Sequence, residues 1–394
     1  MTYATPWSKR HKKVTGGTPF SLSNSFAQPL TNAELIEMAL RRGDKDIVAQ
    51  FQNHSLDYTP NGGSLDLREE ISKLYDASID AENIVVFTGG QVALQTTAIA
   101  LLDKTSHAIV FTPSYQSLQT VPIHAGSAVT KIPLHAYDDW AIDIHAVEAA
   151  IRDNTKLIII NAPYNPAGTL MSAKDQKRLK VLAEKNDIYI LSDEVYRLLE
   201  HDRSDRIPAM ADLYEQGLSV CTLSKPWGGC GITIGWVALQ DMALKQKLID
   251  TQYFGTACPS RASELQAIMT LRASDEILEK NLKIIRHNLG LLDAFFMTYN
   301  DLFAWVRPRG GAIGFVKFIG PLTSEQLGDQ LAQAGISIKP AYVFYDGDRH
   351  DYDDYFRLGY GERIMPKALT ALIDFVEAHK HSWRALMSDQ PEAK

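Results

Sequence analysis

The chain has 394 residues, 45% of them apolar, with 40 Lys and Arg against 47 Asp and Glu for a formal net charge of −7. A chain of this size buries sizeable cores and divides into two or three domains, since one core stops growing near about 250–300 residues, so disorder and collagen-like structure are excluded. The acidic balance argues against general nucleic-acid binding, and three cysteines (Cys221, Cys230, Cys258) with no Cys-x-x-Cys pair argue against a disulfide scaffold or a thiolate metal site.

Residues Met1–Lys13 lack the apolar stretch of a secretory signal, and no apolar run approaches the roughly 20 residues of a membrane span, so a soluble, cytoplasmic protein is expected. The first thirty residues read as an irregular arm, and the basic cluster Lys9–Lys13 within it as solvated. Thr31-Asn-Ala-Glu34 is a capping box opening a helix through Leu35, Met38 and Leu40. Strands are predicted at Ile84–Phe87, Ala108–Phe111, Ala128–Ile132, Leu157–Ile160, Ile188–Leu191, Val220–Leu223 and Ile234–Leu239, with helices such as Gln91–Leu102 and Ala173–Lys185 between them. Apolar strands alternating with helices imply βαβ units and a mostly parallel sheet. After Ser274 the rhythm changes to a long helix (Glu276–Tyr299), strands at Phe303–Val306 and Ala312–Phe318, and helices at Thr323–Ala334 and Pro366–His379. The expected organisation is an arm and helix over 1–44 packing with the small domain, a large α/β domain over 45–275 and a smaller α+β domain over 276–394.

In parallel α/β sheets, chemistry collects beyond the carboxyl ends of strands, so the residues after each strand matter most. Ile84–Phe87 is followed by Thr88-Gly89-Gly90-Gln91 at a helix start, which is either a tight turn or an anion site. Leu157–Ile160 is followed by Asn161-Ala-Pro163-Tyr164-Asn165-Pro166-Ala-Gly168, a turn that also fixes an amide at a strand's end. Ile188–Leu191 leads to Ser192-Asp193-Glu194-Val195-Tyr196-Arg197, where a buried carboxylate wants a cation or a protonated ring nitrogen. Val220–Leu223 leads to Ser224-Lys225 and a Gly-rich loop, where the lysine either snorkels to solvent or is a nucleophile with a depressed pKa.

As an ordered set these four segments resemble the class I/II aminotransferases, pyridoxal-phosphate enzymes of fold type I, with a three-layer α/β/α large domain and a smaller α+β domain. The resemblance runs from about Leu22 to the last helix. It implies pyridoxal 5′-phosphate held as a Schiff base on Lys225, with Asp193 on the pyridine nitrogen and Asn165 and Tyr196 on the ring's phenolate oxygen. It implies Tyr115 stacked on the ring and a phosphate anchored by Gly89, Gly90, Gln91, Thr222 and Ser224. It implies a homodimer in which Tyr58 crosses to the partner's phosphate. Arg357, in Asp354-Tyr-Phe356-Arg357, matches the residue that grips the substrate α-carboxylate, joined by Asn165 and, in the Leu22–Phe26 segment, by Asn24. One position departs: the family's phosphate-clamping arginine is here Thr233, in Gly231-Ile-Thr233-Ile-Gly235. Thr233 is still expected to bond the phosphate, but a hydroxyl supplies less than the roughly 1.5–3 kcal/mol of a charge-assisted hydrogen bond, so the helix dipole and other donors must balance the charge.

The expected activity is transfer of an amino group between an amino acid and a 2-oxo acid. The alternative is another pyridoxal-phosphate reaction on an amino acid (elimination, cyclisation or oxidation, for example of an arginine derivative). A non-catalytic regulatory module is a third reading, opposed by the short stretch preceding the resemblance. Asp346–Asp351 is rejected as a calcium loop, because Asp348 and His350 are followed by Asp351 where that loop requires Gly. No metal is expected from the scattered histidines, and Arg307 and Arg309 are expected to be structural.

Overall fold

The computed structural model describes residues 5–346 and 351–388. Its strands in chain order are β1 (Phe20–Ser21), β2 (Ile84–Phe87), β3 (His107–Thr112), β4 (Ala128–Pro133), β5 (Thr155–Asn161), β6 (Tyr189–Asp193), β7 (Gly217–Thr222), β8 (Gly235–Leu239), β9 (Phe303–Trp305), β10 (Ile313–Phe318), β11 (Ile336–Ser337), β12 (Lys339–Pro340) and β13 (Tyr355–Gly359).

Seven strands make the main sheet in the order β2-β8-β7-β6-β5-β3-β4. All neighbouring pairs are parallel except those of β8, which runs antiparallel to β2 and β7. Helices cover both faces. Val85 and Phe87 pack toward the helices Gly90–Leu101 and Met242–Tyr253, whereas Ile84 and Val86 pack toward Leu65–Ser72 and Arg261–Arg272. Burial on both faces is why the central strands read as continuous apolar runs. The expected three-layer α/β/α architecture with a mostly parallel sheet is therefore observed. A four-stranded antiparallel sheet, β12-β13-β10-β9, packs with the helices Ser274–Thr298 and Met365–Ser388 around a second core that includes Phe296, Phe303, Phe318 and Phe356.

The N-terminal segment differs from the expected irregular arm. Ser8–Thr15 is helical, and β1 pairs in parallel with β11. Leu22 and Ala27 are fully enclosed in the core of the smaller sheet. The cause is tertiary, since a two-residue strand carries no periodicity of its own. The basic cluster is likewise not wholly solvated: Lys9, Lys12 and Lys13 are exposed, but His11 is buried.

The capping box at Thr31 forms as expected, with Glu34 reaching back to the Thr31 N–H. The helix it opens, Asn32–Arg42, does not pack mainly with the smaller unit. Leu35, Met38 and Ala39 join the core under Arg261–Arg272, and the Arg41–Glu276 and Glu34–Lys280 ion pairs are the polar links onward to the long helix. The apolar stripe decides, because burying it outweighs exposed ion pairs worth about 0–1 kcal/mol each.

The arm is seated at one tight point. The Gly359 N–H donates to the Leu22 carbonyl at 2.7 Å, and a Cβ on Gly359 would lie 1.6 Å from the Asn24 carbonyl oxygen. Gly359→Ala is expected to cost about 3 kcal/mol of stability, the upper range for overpacking, because backbone rather than a side chain must move. Urea denaturation measures it, and an unchanged midpoint would show that the arm yields freely.

Candidate active site

The carboxyl ends of β5, β6 and β7 lie side by side. Asn161 of β5 stands opposite Asp193 of β6, which stands opposite Val220 of β7. The Asn161 amide donates to the Asp193 carbonyl at 2.7 Å and its oxygen accepts the Asn165 N–H at 2.6 Å, which fixes the turn between them.

Two carboxylates stand at the end of β6, Asp193 as its last residue and Glu194 as the next, and alternation along the chain sends them to different surroundings. Glu194 is buried but engaged by Arg197 at 3.6 Å, the Met210 N–H at 2.9 Å and the Ser219 hydroxyl at 2.9 Å. Asp193, only 3% exposed, accepts one long hydrogen bond from the Val195 N–H at 3.3 Å. Burial pushes its pKa up to about 7, against the weaker pull of that N–H and Lys225. It is a carboxylate in need of a cation.

Lys225 leaves the end of β7, and its Nζ donates to the Ser25 hydroxyl at 3.1 Å. Burial holds its pKa below the usual lysine value, with the Arg357 charge adding to the effect. Arg357, on β13, is 2% exposed and lies over the Phe344 ring at 5.2 Å. It donates to Asn165 Oδ1 and to the Ser23 carbonyl, both at 2.9 Å, while its Nε has no partner. No carboxylate among the described residues pairs with it, and burial lowers its pKa. Tyr196 is enclosed beside Ser25 and Arg357, with burial raising its pKa to about 12.

At the end of β2, Gly89 has φ +100° and begins the helix Gly90–Leu101, which has no side-chain N-cap. A Cβ on Gly89 would meet nothing within 4 Å, whereas one on Gly235 of β8 would lie 2.4 Å from the Gly90 nitrogen. The helix start is thus pressed against the sheet on one side and open on the other. Thr222 lies beside Gly90, its hydroxyl 3.1 Å from that of Ser224. Gln91 accepts from the hydroxyls of Tyr115 at 3.2 Å and Ser117 at 2.8 Å.

Lys225, Asp193, Tyr196, Asn165 and Arg357 therefore share one site, with Gly89, Gly90, Gln91, Thr222, Ser224 and Tyr115 along its edge. Three residues singled out from the sequence stand apart from these contacts. Asn24 donates to Glu362 at 2.7 Å, Thr233 is exposed at φ +55° with its hydroxyl on the Ile232 carbonyl, and Tyr58 is 92% exposed. The sequence missed Ser25 and Ser23, which contact Lys225 and Arg357. Their only signal was adjacency to Asn24. Arg307 and Arg309 pair with Asp293 and Asp205. The rejected calcium loop falls largely on residues 347–350, outside the described residues. Among the described residues no group of three or more His, Cys, Asp or Glu could hold a metal ion, and no helix is long and apolar enough to cross a membrane.

Residues 24–361 match the family model for aminotransferases of class I and II. The chain belongs to the class I and II aminotransferase family. It is 29% identical over 372 residues to a probable aspartate aminotransferase of Methanocaldococcus jannaschii, covering 88% of this chain and 95% of that one. A capreomycidine synthase of Streptomyces vinaceus is 28% identical over 243 residues, 61% of this chain and 62% of that one. A pyridoxal-phosphate-dependent aminotransferase from Streptococcus suis superposes with a TM-score of 0.88 at 28% identity, covering 96% and 99% of the two chains. As an aminotransferase the chain depends on pyridoxal phosphate and acts on amino-acid and oxo-acid substrates. The site fits that cofactor: it offers an underserved buried carboxylate, a buried amine and an uncapped helix start open to a phosphate.

Proposed function

We propose that this aminotransferase attaches its cofactor to Lys225 and that the same amine then moves the proton on which transfer of the amino group depends. One observation carries the reading. The Lys225 amine and the Arg357 guanidinium are held by the same three-residue stretch, through the Ser25 hydroxyl and the Ser23 carbonyl. A substrate whose α-carboxylate pairs with Arg357 Nε is thereby set with its Cα near Lys225 Nζ.

Asp193 would hold the ring nitrogen protonated, and the open start of Gly90–Leu101, with Thr222 and Ser224, would take the phosphate. Asn165 and Tyr196 would face the phenolate oxygen and Tyr115 the ring. Thr233 leaves the phosphate to neutral donors and the helix dipole. Bound there, pyridoxal phosphate supplies a sink for the electron pair left when the Cα–H bond breaks. Lys225 Nζ, its pKa depressed, takes that proton in the donor half-reaction and returns one to the keto carbon in the acceptor half-reaction. The proposed division near residue 275 puts Lys225 in the large unit and Arg357 in the small one, with the site between them. A second copy of the chain is proposed to cover Tyr58, which is exposed together with Leu56 and Phe254.

The purified protein should be yellow. Incubated with a panel of amino acids, it should accumulate pyridoxamine phosphate and a stoichiometric oxo acid. Ammonia release or oxygen uptake without pyridoxamine phosphate would instead favour the cyclising or eliminating chemistry that the capreomycidine synthase likeness raises.

A further inference from the structure

We propose that Lys339 is a second anion-binding group of the substrate site, taking the side-chain carboxylate of a dicarboxylic amino acid. The inference deepens the transamination reading and rests on it.

The geometry comes from strand register. Lys339 of β12 is the direct antiparallel partner of Arg357 on β13. Directly opposed residues on neighbouring strands project from the same face with Cβ atoms about 5 Å apart, so Lys339 issues beside the guanidinium assigned to the α-carboxylate. On its other side Arg357 is paired with Phe315, which is fully buried and offers no charge. Lys339 is partly buried, and no hydrogen bond or ion pair engages its amine among the described residues. Burial, and then the charges of Arg357, Lys225 and Lys12, all cationic, hold its pKa well below the usual lysine value. His11, buried in the N-terminal helix, faces Lys339 and Arg357 and is held neutral down to a pH of about 4 by burial and then by those charges. That helix is itself fixed by the Trp7 N–H on Gln116 at 2.7 Å and by Arg10 on Glu325 and over Tyr342.

Like charges placed directly across a strand pair destabilise it, and among the described residues no acid pairs with either group. An apolar donor would leave the guanidinium and the amine without an anionic partner, and a basic donor would add a further positive charge. A diacid of four or five carbons places one carboxylate at Arg357 and the other at Lys339, and satisfies both.

The test uses holoenzyme, Lys339→Met and Lys339→Arg. Methionine keeps the length of the side chain and removes the charge. The kcat/KM ratio of glutamate to glutamine, and of aspartate to asparagine, is expected to fall about 10- to 100-fold in Lys339→Met, the value of one charge-assisted hydrogen bond, and to recover largely in Lys339→Arg. Binding of succinate, which needs no turnover, should exceed that of butanoate in the wild type and lose that margin in Lys339→Met. A ratio unchanged by Lys339→Met, or succinate bound no better than butanoate by the wild type, overturns the proposal. If succinate selectivity behaves as stated while no amino acid yields pyridoxamine phosphate, it is the transamination reading that fails.

Discussion

Lys225→Ala is expected to lower kcat/KM by about 10⁴-fold or more, because it removes both the proposed attachment of the cofactor and the proposed base that moves the proton. The loss should be chemical rather than structural. The Lys225 backbone carbonyl, which accepts the Ala27 N–H at 3.0 Å, is untouched, and the side chain gives up only a hydrogen bond to Ser25 and a desolvated charge. Borohydride should fix a pyridoxyl group to the wild-type chain at Lys225, read by peptide mass, and fix none to the variant. Stability in urea should stay near the wild-type value, since removing a partly buried amine with depressed basicity relieves as much as it costs. Covalent fixation elsewhere in the chain, or turnover within tenfold of wild type, would assign the amine to another residue.

Much of this site was legible because the sequence breaks its own pattern at the right places. Ile84–Phe87 and the apolar stretch of β5 are buried on both faces, so a polar residue at their ends stands out against an apolar run. Asp193 and Lys225 are read in that way: the first ends a strand of the core, and the second follows the end of one by three residues. What could not be read depends on contacts between distant segments. Ser25 is one hydroxyl in a polar arm, and the pairing of β1 with β11, the seat of Asn24 on Gly359 and the Ala27 N–H on the Lys225 carbonyl bring it to Lys225. The Asn32–Arg42 helix showed its cap and its apolar stripe, but a stripe does not name the surface that will cover it. Lys339 is the clearest case. Beside a proline it looks like an ordinary strand-edge lysine, and its meaning comes from the register that sets it against Arg357.

The same dependence on placement shows in the electrostatics. The chain is acidic as a whole, yet the groups proposed for the substrate end of the site are Lys225, Lys339 and Arg357, with Asp193 proposed for the cofactor side. Net charge, a sum over the whole chain, says little about such a site, where burial and strand register place the charges. The buried charges are costly to the protein alone and become useful when an anion or a protonated ring arrives. Stability of the apoprotein is thereby traded for affinity, and the trade is measurable at Asp193.

Asp193→Asn is expected to stabilise the apoprotein at alkaline pH and to disable the holoenzyme. In the folded apoprotein Asp193 has its pKa raised from 3.8 to about 7, with burial the largest cause. Between those values the folded state holds a proton that the unfolded state releases, so wild-type stability falls as pH rises through this window and levels off above it. At about 1.4 kcal/mol per pH unit, the wild type should lose on the order of 4 kcal/mol relative to the asparagine variant between pH ~4 and pH ~8. Glu194, also raised by burial, titrates in both proteins and largely cancels in the comparison. With the cofactor bound, the sign of the mutation's effect reverses. A carboxylate about 3 Å from a protonated ring nitrogen contributes roughly 5 kcal/mol at an effective dielectric near 20, which the neutral amide forfeits. The variant should therefore hold pyridoxal phosphate more weakly and turn over at least about 10³-fold more slowly, where each 1.36 kcal/mol of barrier is tenfold in rate. Urea titrations of both apoproteins at the two pH values, beside cofactor affinity and turnover, decide it. A gap in apoprotein stability that does not change with pH would mean that Asp193 already has a cationic partner in the folded chain.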